Sequence, residues 1–210
     1  MLEIFTVGHS SQPITQFVAL LFRHQITAIA DVRSAPYSRH NPQFNREDLR
    51  DSLKQLLISY VFLGKELGAR SEDEWCYVQN KVSYQRLAAT ELFKSGVKRV
   101  VEGARAYRVA LMCAEKDPLE CHRTILVSRE LVRQGIRVSH ILHDGTLESH
   151  DAAISRLVER LGIGEQDMFR SPDATVQLAY ERQEQLIAYV RNDTLDRQSD
   201  TEADERRAVR

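Results

Sequence analysis

The chain has 210 residues, 42% hydrophobic and 28% charged, which is typical of a globular protein with a buried core. Its formal net charge of −1 excludes a general electrostatic attraction to nucleic acid or to an anionic membrane, so any anion would have to bind at a local cluster. Three cysteines without an export signal or a long apolar run predict reduced thiols, no membrane span and a cytoplasmic location.

The first third of the chain predicts a βαβ unit. Apolar residues spaced i, i+3, i+4 and i+7 after Pro13 predict a helix between strands at residues 2–7 and 26–30. An irregular segment with two prolines follows at 34–45. A leucine-bearing helix and a strand at 60–63 are predicted next.

The rest of the chain predicts a polar, irregular segment and then a second alternation of helices and strands. The run Val109-Ala-Leu-Met112 is apolar throughout, as in a strand that is covered on both faces. The predicted elements are an irregular stretch at 65–82, helices at 84–93 and 97–106, a strand at 108–112, a helix opened by Cys121 and ending near Gln134, a strand at 138–142, a helix around 154–161 and a helix at 174–191.

This alternation predicts an α/β fold, with a mainly parallel sheet and helices on both faces in a Rossmann-like three-layer arrangement. We expect one α/β domain at 1–162, a C-terminal helical extension at 163–191 and a disordered tail at 192–210. A glycine-rich phosphate loop is absent from the sequence, since Gly8 alone does not make a dinucleotide fingerprint.

Polar side chains follow each predicted strand, and the carboxyl ends of parallel strands meet at one edge of a sheet, where ligands bind. Some of these residues are expected to be simple loop caps. The residues that follow the predicted strands are His9 and Ser10, Asp31 and Arg33, Gly64 and Glu66, Cys113 and Glu115, and His143 and Asp144.

The densest segment runs from Cys113 to Arg123. Cys121 is predicted at a helix N-terminus, where partial positive charge favours the thiolate, either as a nucleophile or as a metal ligand. His122 and Arg123 add donors and positive charge. Cys113 fits equally well as a small buried apolar residue at a strand end.

Several other polar residues allow two interpretations. Asp31 and Arg33 predict either a structural ion pair or ligand contacts. The basic run around Arg39, with aromatic residues interleaved, fits a phosphate grip or a solvated loop. His24 and His150 are expected on helix surfaces, and Cys76 in packing.

An ordered set of short motifs resembles the family called domain of unknown function 488, from about residue 4 to 142. The motifs are Gly8-His9-Ser10, Asp31-Val32-Arg33, Pro36, Ser38-Arg39, Pro42-Gln43-Phe44, Tyr60, Leu63-Gly64, Glu66-Leu67-Gly68, Cys113-Ala114-Glu115, Cys121-His122-Arg123 and His140-Ile141. Ala69 departs from the pattern, which has a second glycine there. The resemblance implies a compact α/β fold and a shared site without an assigned activity. It places among the signature positions His9, Asp31, Arg33, Arg39, Glu66, Cys113, Glu115, Cys121, His122 and Arg123.

The leading functional hypothesis is an enzyme that acts on an anionic, phosphate-bearing small molecule or nucleotide. Cys121 is its predicted nucleophile, with Glu115 or His9 as acid or base. The predicted substrate-binding residues are Arg33, Arg39, Arg123, Asp31 and Ser10.

Two alternatives stay open. The first is a metal or iron-cofactor protein with Cys113, Cys121 and His122 as ligands, joined by His9. Its difficulty is that two adjacent residues at the start of one helix diverge by about 100°. The second alternative is a nucleic-acid-associated module that uses residues 33–50, which the net charge of −1 disfavours. Cofactor and oligomeric state are not assigned.

Overall fold

The computed structural model describes residues 2–163 and 171–191. Within them, a six-stranded sheet has the order β3-β2-β6-β1-β7-β8, with β8 antiparallel to β7 and every other neighbouring pair parallel. A separate hairpin pairs β4 with β5. The strands are β1 (Glu3–Gly8), β2 (Ala28–Asp31), β3 (Ser59–Phe62), β4 (Tyr77–Val78), β5 (Lys81–Val82), β6 (Val109–Cys113), β7 (Arg137–Ile141) and β8 (Leu147–Ser149).

Helices cover both faces of the sheet, because the central strands are apolar on both sides; every residue of β6 is buried. One core lies between the sheet and α1 and α2, and the other lies under the remaining longer helices. This arrangement confirms the predicted α/β fold with its three layers. The helices are α1 (Ile14–Arg23), α2 (Arg46–Gln55), α3 (Gly64–Leu67), α4 (Tyr84–Ala89), α5 (Glu91–Gly103), a π-helix (Arg123–Ser128) that continues into α6 (Arg129–Arg133), α7 (His150–Arg160) and α8 (Pro172–Ile187).

Several predicted elements differ from the structure. The break between α4 and α5 lies at Thr90, whose hydroxyl accepts a hydrogen bond from the Phe93 N–H and starts α5 earlier than expected. The stretch at 65–82 is not wholly irregular, since it holds α3 and the β4–β5 hairpin. The short edge strand β8 was not predicted, because three residues of mixed polarity give no alternation signal.

The last described segment leaves its helix to join the hairpin. Helix α8 ends at Ile187 rather than at 191, since the following residues run antiparallel to β5. The Val82 N–H donates to the Tyr189 carbonyl at 2.9 Å, and the Arg191 N–H donates to the Asn80 carbonyl at 2.8 Å. The predicted tail at 192–210 lies outside the described residues. In the described ranges, no helix is long and apolar enough to cross a membrane.

A chain of buried polar groups joins the sheet to α7 and α8. Thr6 Oγ1 lies 2.8 Å from His140 Nδ1, His140 Nε2 lies 3.2 Å from His150 Nδ1, and His150 Nε2 lies 2.7 Å from the Tyr180 hydroxyl. His150 is therefore buried, and its predicted surface position is wrong. The pattern of α7 did not reveal this because His150 is its first residue.

These histidines predict a loss of stability in acid. Burial is the main cause that lowers the pKa of His150 to about 4, and it also lowers the pKa of His140. A histidine with a lowered folded pKa takes up a proton on unfolding, so its stabilising contribution is complete above about pH 6.5. That contribution is lost as the pH falls towards 4. We expect His150 to account for about 1–2 kcal/mol of the stability lost between pH 7 and pH 5.

Urea unfolding at several pH values measures this contribution. His150→Gln is expected to show a shallower decline with falling pH than the wild type. His143→Gln, at an exposed histidine of the β7–β8 turn, serves as the matched control and should decline as the wild type does. Identical slopes in all three proteins would contradict the assignment.

Candidate functional site

The site is built at the carboxyl end of β6, between its two parallel neighbours. The register pairs Asp31 with Met112 and Gly8 with Cys113, so the residues that follow β1, β2 and β6 share one edge. The backbone segments at the end of β1 and after β6 approach so closely that a Cβ atom at Gly8 would lie 1.9 Å from the Glu115 carbonyl oxygen. A side chain is therefore excluded at position 8.

A tight turn brings Cys121 back to Cys113. Asp117 accepts a hydrogen bond from the Leu119 N–H at 3.0 Å and starts a 3-10 turn at Pro118–Glu120. Arg156 holds the Asp117 carboxylate from α7, with both contacts at 3.1 Å. Cys121 then has extended backbone angles of φ −137° and ψ 140°, and the helix begins after it.

Two thiols and one imidazole converge at this point. The Nδ1 atom of His122 lies 3.8 Å from the Sγ atoms of both Cys113 and Cys121. All three potential ligand atoms lie within 4.8 Å of one another, and all three residues are buried. Because Cys121 is extended rather than helical, the expected 100° divergence from His122 does not apply.

The two thiols differ in their ionisation. Burial favours the neutral form of Cys121, but the Cys113 thiol, Arg123 and His122 outweigh it and hold the pKa of Cys121 well below its usual range. The Arg123 N–H also donates to the Cys121 sulfur at 3.4 Å. The hydrogen bond to Cys121, together with burial, raises the pKa of Cys113 well above its usual range. Cys121 is therefore the thiolate of the pair.

His122 and Glu115 respond to this thiolate. Burial opposes protonation of His122, but the Cys121 charge beside it raises the pKa of the imidazole overall. His122 Nε2 lies 3.0 Å from the Val32 carbonyl oxygen, which places a hydrogen on Nε2 and leaves Nδ1 facing the thiols. Burial and then the Cys121 charge raise the pKa of Glu115, which lines the same cleft as the two thiols.

A cleft of about 300 Å³ opens onto this cluster, and we call it the thiol cleft. Its lining includes Cys113, Glu115, Cys121, His122, Arg33 and Tyr84. Small-molecule sites have volumes of about 300–1,000 Å³. The thiol cleft therefore has the size of a site for a compact ligand.

Comparison with models of known protein families shows which family the chain belongs to. A family model described as Domain of unknown function DUF488 matches residues 13–129, which is more than half of the chain. The chain belongs to this family. Searches of curated proteins and of solved structures gave no significant match. The DUF488 match includes both site cysteines and His122, whereas His9, Ser10 and helix α8 lie outside it.

In this DUF488 protein, Asp31 and Arg33 form a buried ion pair. Arg33 Nε and Nη2 donate to the two Asp31 carboxylate oxygens at 2.9 and 2.7 Å. The Tyr60 hydroxyl donates to Asp31 Oδ2 at 2.7 Å, and Asp31 is fully buried. The carboxylate therefore holds Arg33 in place and offers no exposed oxygen to a ligand.

His9 belongs to the same network rather than to the thiol cluster. Its Nδ1 lies 2.7 Å from the Ser10 carbonyl oxygen, and its Nε2 lies 3.2 Å from Arg33 Nη1. The ring stacks on Phe44 at 4.3 Å, and burial is the main cause that lowers its pKa to about 4. His9 is a neutral spacer with both nitrogens occupied, so it has no free nitrogen for proton transfer at the thiol cleft.

Of the remaining residues predicted to bind a substrate, Arg123 and Ser10 lie at the edge of the sheet near the site, and Arg39 does not. Arg123 is fully buried and donates to the carbonyl oxygens of Glu115 and Lys116 at 2.7 and 3.4 Å, so it holds the loop after β6. The Ser10 N–H donates to the Ala114 carbonyl at 2.8 Å. Arg39 is exposed on the loop after β2 and does not line the thiol cleft.

Two further positions of the strand-end pattern have local roles. Glu66 forms an ion pair with Arg99 on α5. Asp144 accepts hydrogen bonds from the N–H and hydroxyl of Thr146 at 2.8 and 2.7 Å, so it caps the β7–β8 turn. Neither residue lines the thiol cleft.

Several residues that line the thiol cleft were not predicted from the sequence, among them Arg70, Tyr84 and Tyr189. Tyr84 opens α4 and is buried, and burial followed by the nearby Cys121 charge raises its pKa, so the phenol stays neutral. Arg70 and Tyr189 stack on each other from two distant segments. The sequence could indicate that Tyr84 begins a helix, because Ser83 before it is a typical N-cap residue. It did not indicate that Tyr84 lines the thiol cleft.

Proposed function

We propose that this DUF488 protein is a metalloprotein in which Cys113, Cys121 and His122 bind one transition-metal ion, with zinc as the preferred ion. The observation that carries the proposal is the convergence of three buried ligand atoms within 4.8 Å of one another. Metal–nitrogen and metal–sulfur bonds are about 2.0–2.3 Å long, so one ion can reach all three atoms with small adjustments. Two sulfurs and one imidazole nitrogen suit zinc or ferrous iron better than magnesium or calcium.

The surroundings of His122 support a ligand role. A metal-bound histidine commonly donates its other ring nitrogen to a carbonyl or carboxylate, which fixes the ring. The 3.0 Å contact between His122 Nε2 and the Val32 carbonyl is of this kind and directs Nδ1 towards the two sulfurs. The π-helix that follows also supports a functional role, because π-helical segments are frequent at functional sites.

The proposed centre is catalytic rather than structural. Three protein ligands leave a fourth position, and closed structural zinc sites have four. The three ligands line the thiol cleft, so a water molecule or a substrate can reach that position. When bound there, zinc would supply Lewis acidity and an activated water. Glu115, beside the sulfurs, is the proposed general base, and Arg33 lines the cleft as a cation.

The proposed substrate is a small anion. The cleft volume of about 300 Å³ lies at the low end of the range for small-molecule sites. This volume favours a compact carboxylate or phosphate ester over a whole nucleotide. We also propose a cytoplasmic location, because a reducing compartment keeps thiols such as Cys113 and Cys121 available as ligands.

A second candidate is a thiol enzyme in which Cys121 itself is the nucleophile. The observation in its favour is the lowered pKa of Cys121, together with the 3.4 Å hydrogen bond from the Arg123 N–H. The first candidate ranks higher because a nucleophile alone does not explain why His122 and Cys113 face the same point.

Metal titration separates the two candidates. Protein freed of metal under reducing conditions is titrated with zinc in competition with a chromophoric chelator. We expect one ion per chain with sub-micromolar affinity, and the same stoichiometry in Cys76→Ala, where the replaced thiol lies outside the cluster. Absence of stoichiometric zinc and of ferrous binding would contradict the metal proposal and favour the thiol enzyme.

A further inference from the structure

One arginine on the rim of the thiol cleft is held in position yet keeps its donors. The Arg70 N–H donates to Ser34 Oγ at 3.1 Å, which anchors the backbone. The guanidinium lies over the Tyr189 ring, with Cζ 4.5 Å from the ring centroid. Within residues 2–163 and 171–191, its side-chain nitrogens make no hydrogen bond or ion pair. Stacking of this kind orients a guanidinium without using its N–H groups.

The other arginines near the site have their terminal guanidinium nitrogens engaged, and the Nε of Arg123, which has no partner among the described residues, is buried away from the cleft lining. Arg33 directs Nε and Nη2 to Asp31, Nη2 also to the Phe44 carbonyl, and Nη1 to His9. Arg123 uses both terminal nitrogens on backbone carbonyls. Arg70 is therefore the cleft-lining cation best able to form a new bidentate contact.

The acids of the cleft do not neutralise Arg70. Glu120 lines the cleft but lies 3.7 Å from Arg160, which compensates its charge from α7. Glu115 also lines the cleft, and burial followed by the Cys121 charge raises the pKa of its carboxyl group, which favours the uncharged form. The positive charge at the rim is thus available to a ligand that enters the cleft.

Tyr189 reaches this position because the last described segment crosses to the hairpin. The Tyr189 carbonyl accepts the Val82 N–H at 2.9 Å. A second arginine–tyrosine stack, Arg191 over Tyr77 at 4.0 Å, ties the same segment to the hairpin. Tyr189 lies outside the DUF488 match, whereas the two thiols of the cleft lie inside the matched region. A residue beyond the match therefore helps to form the rim of the cleft.

We propose that Arg70 is the anion-binding residue of the thiol cleft and that Tyr189 is the positioning residue that holds it. The ligand class is a small molecule with a carboxylate or phosphate group, which Arg70 binds at the rim while the rest of the molecule reaches the Cys113–Cys121–His122 cluster. This inference rests on the proposed function for its inner end, but the anion contact itself needs no metal.

The test measures binding of inorganic phosphate and of succinate by calorimetry, to zinc-loaded and to metal-free protein. Arg70→Gln removes the charge and is expected to weaken binding by about 10- to 100-fold, the usual effect of losing a charge-assisted contact. Arg46→Gln is the matched control, since Arg46 also stacks on an aromatic ring, that of Phe62 at 4.6 Å, but does not line the cleft. Tyr189→Phe should bind as the wild type does, and Tyr189→Ala should bind several-fold more weakly.

The outcomes are distinct from those of the metal proposal. Weaker anion binding in Arg70→Gln with unchanged zinc content supports the anchor, and this holds even if the wild type binds no zinc. Preference for phosphate or for succinate identifies which of the two groups is recognised. Equal binding in Arg70→Gln and Arg46→Gln, or no binding of either anion by the wild type, overturns the proposal.

Discussion

Cys121→Ser is expected to lower the affinity for zinc by more than about 100-fold, which is the upper end of the effect seen when an outer partner of a metal ligand is lost. A serine hydroxyl stays protonated and is a poor replacement for a thiolate that the Arg123 N–H and His122 already stabilise. The loss is measured by chelator competition, as for the wild type.

Cys76 provides the control residue for this experiment. Cys76 is also buried, but it lies beside the β4–β5 hairpin and outside the Cys–Cys–His cluster. Cys76→Ala should therefore retain zinc, and circular dichroism should show that both variants are folded. Wild-type affinity in Cys121→Ser, or an equal loss in Cys76→Ala, would contradict a ligand role for Cys121.

Asp31→Ala is expected to reduce the free energy of unfolding by about 3–5 kcal/mol, the usual cost of leaving a buried charge unpaired. Arg33 is 6% exposed and would lose both carboxylate contacts. The Tyr60 hydroxyl would lose its acceptor as well. Urea unfolding at pH 7 measures the change.

An exposed pair provides the comparison. Arg50 and Asp51 lie 3.1 Å apart, with side chains 53% and 63% exposed, so solvent screens the interaction. Asp51→Ala should change stability by less than about 1 kcal/mol. A similarly small change in Asp31→Ala would show that the buried pair does not hold the edge of the sheet together.

The five parallel strands of the sheet could be predicted because their patterns are local. The apolar run of β6 and the helix-spaced residues after Pro13 each indicate one structure whatever surrounds them. The boundary at Thr90 was missed because one side-chain cap decides it, and neighbouring residues favour a helix on both sides. The β4–β5 hairpin was missed because two-residue strands carry no periodicity.

The edge of the sheet at which the candidate site lies could be predicted from the sequence, but the convergence of its side chains could not. Strand ends placed Cys113, Glu115 and Asp31 at one edge because parallel strands end together. The convergence of Cys121 with His122 depends on the extended backbone of Cys121 after a 3-10 turn. The sequence pattern instead predicted that Cys121 begins the helix. Arg70 and Tyr189 are separated by more than half of the chain, and only the folded structure brings them into contact.

The most direct test of the metal centre is the absorption spectrum of protein loaded with one equivalent of Co²⁺ in place of zinc. Two thiolates and one imidazole in a tetrahedral site should give intense visible ligand-field bands and a thiolate-to-cobalt charge-transfer band in the near ultraviolet. Both features should weaken in Cys121→Ser and stay unchanged in Cys76→Ala. A weak spectrum of octahedral cobalt without charge transfer would contradict the Cys113–Cys121–His122 centre.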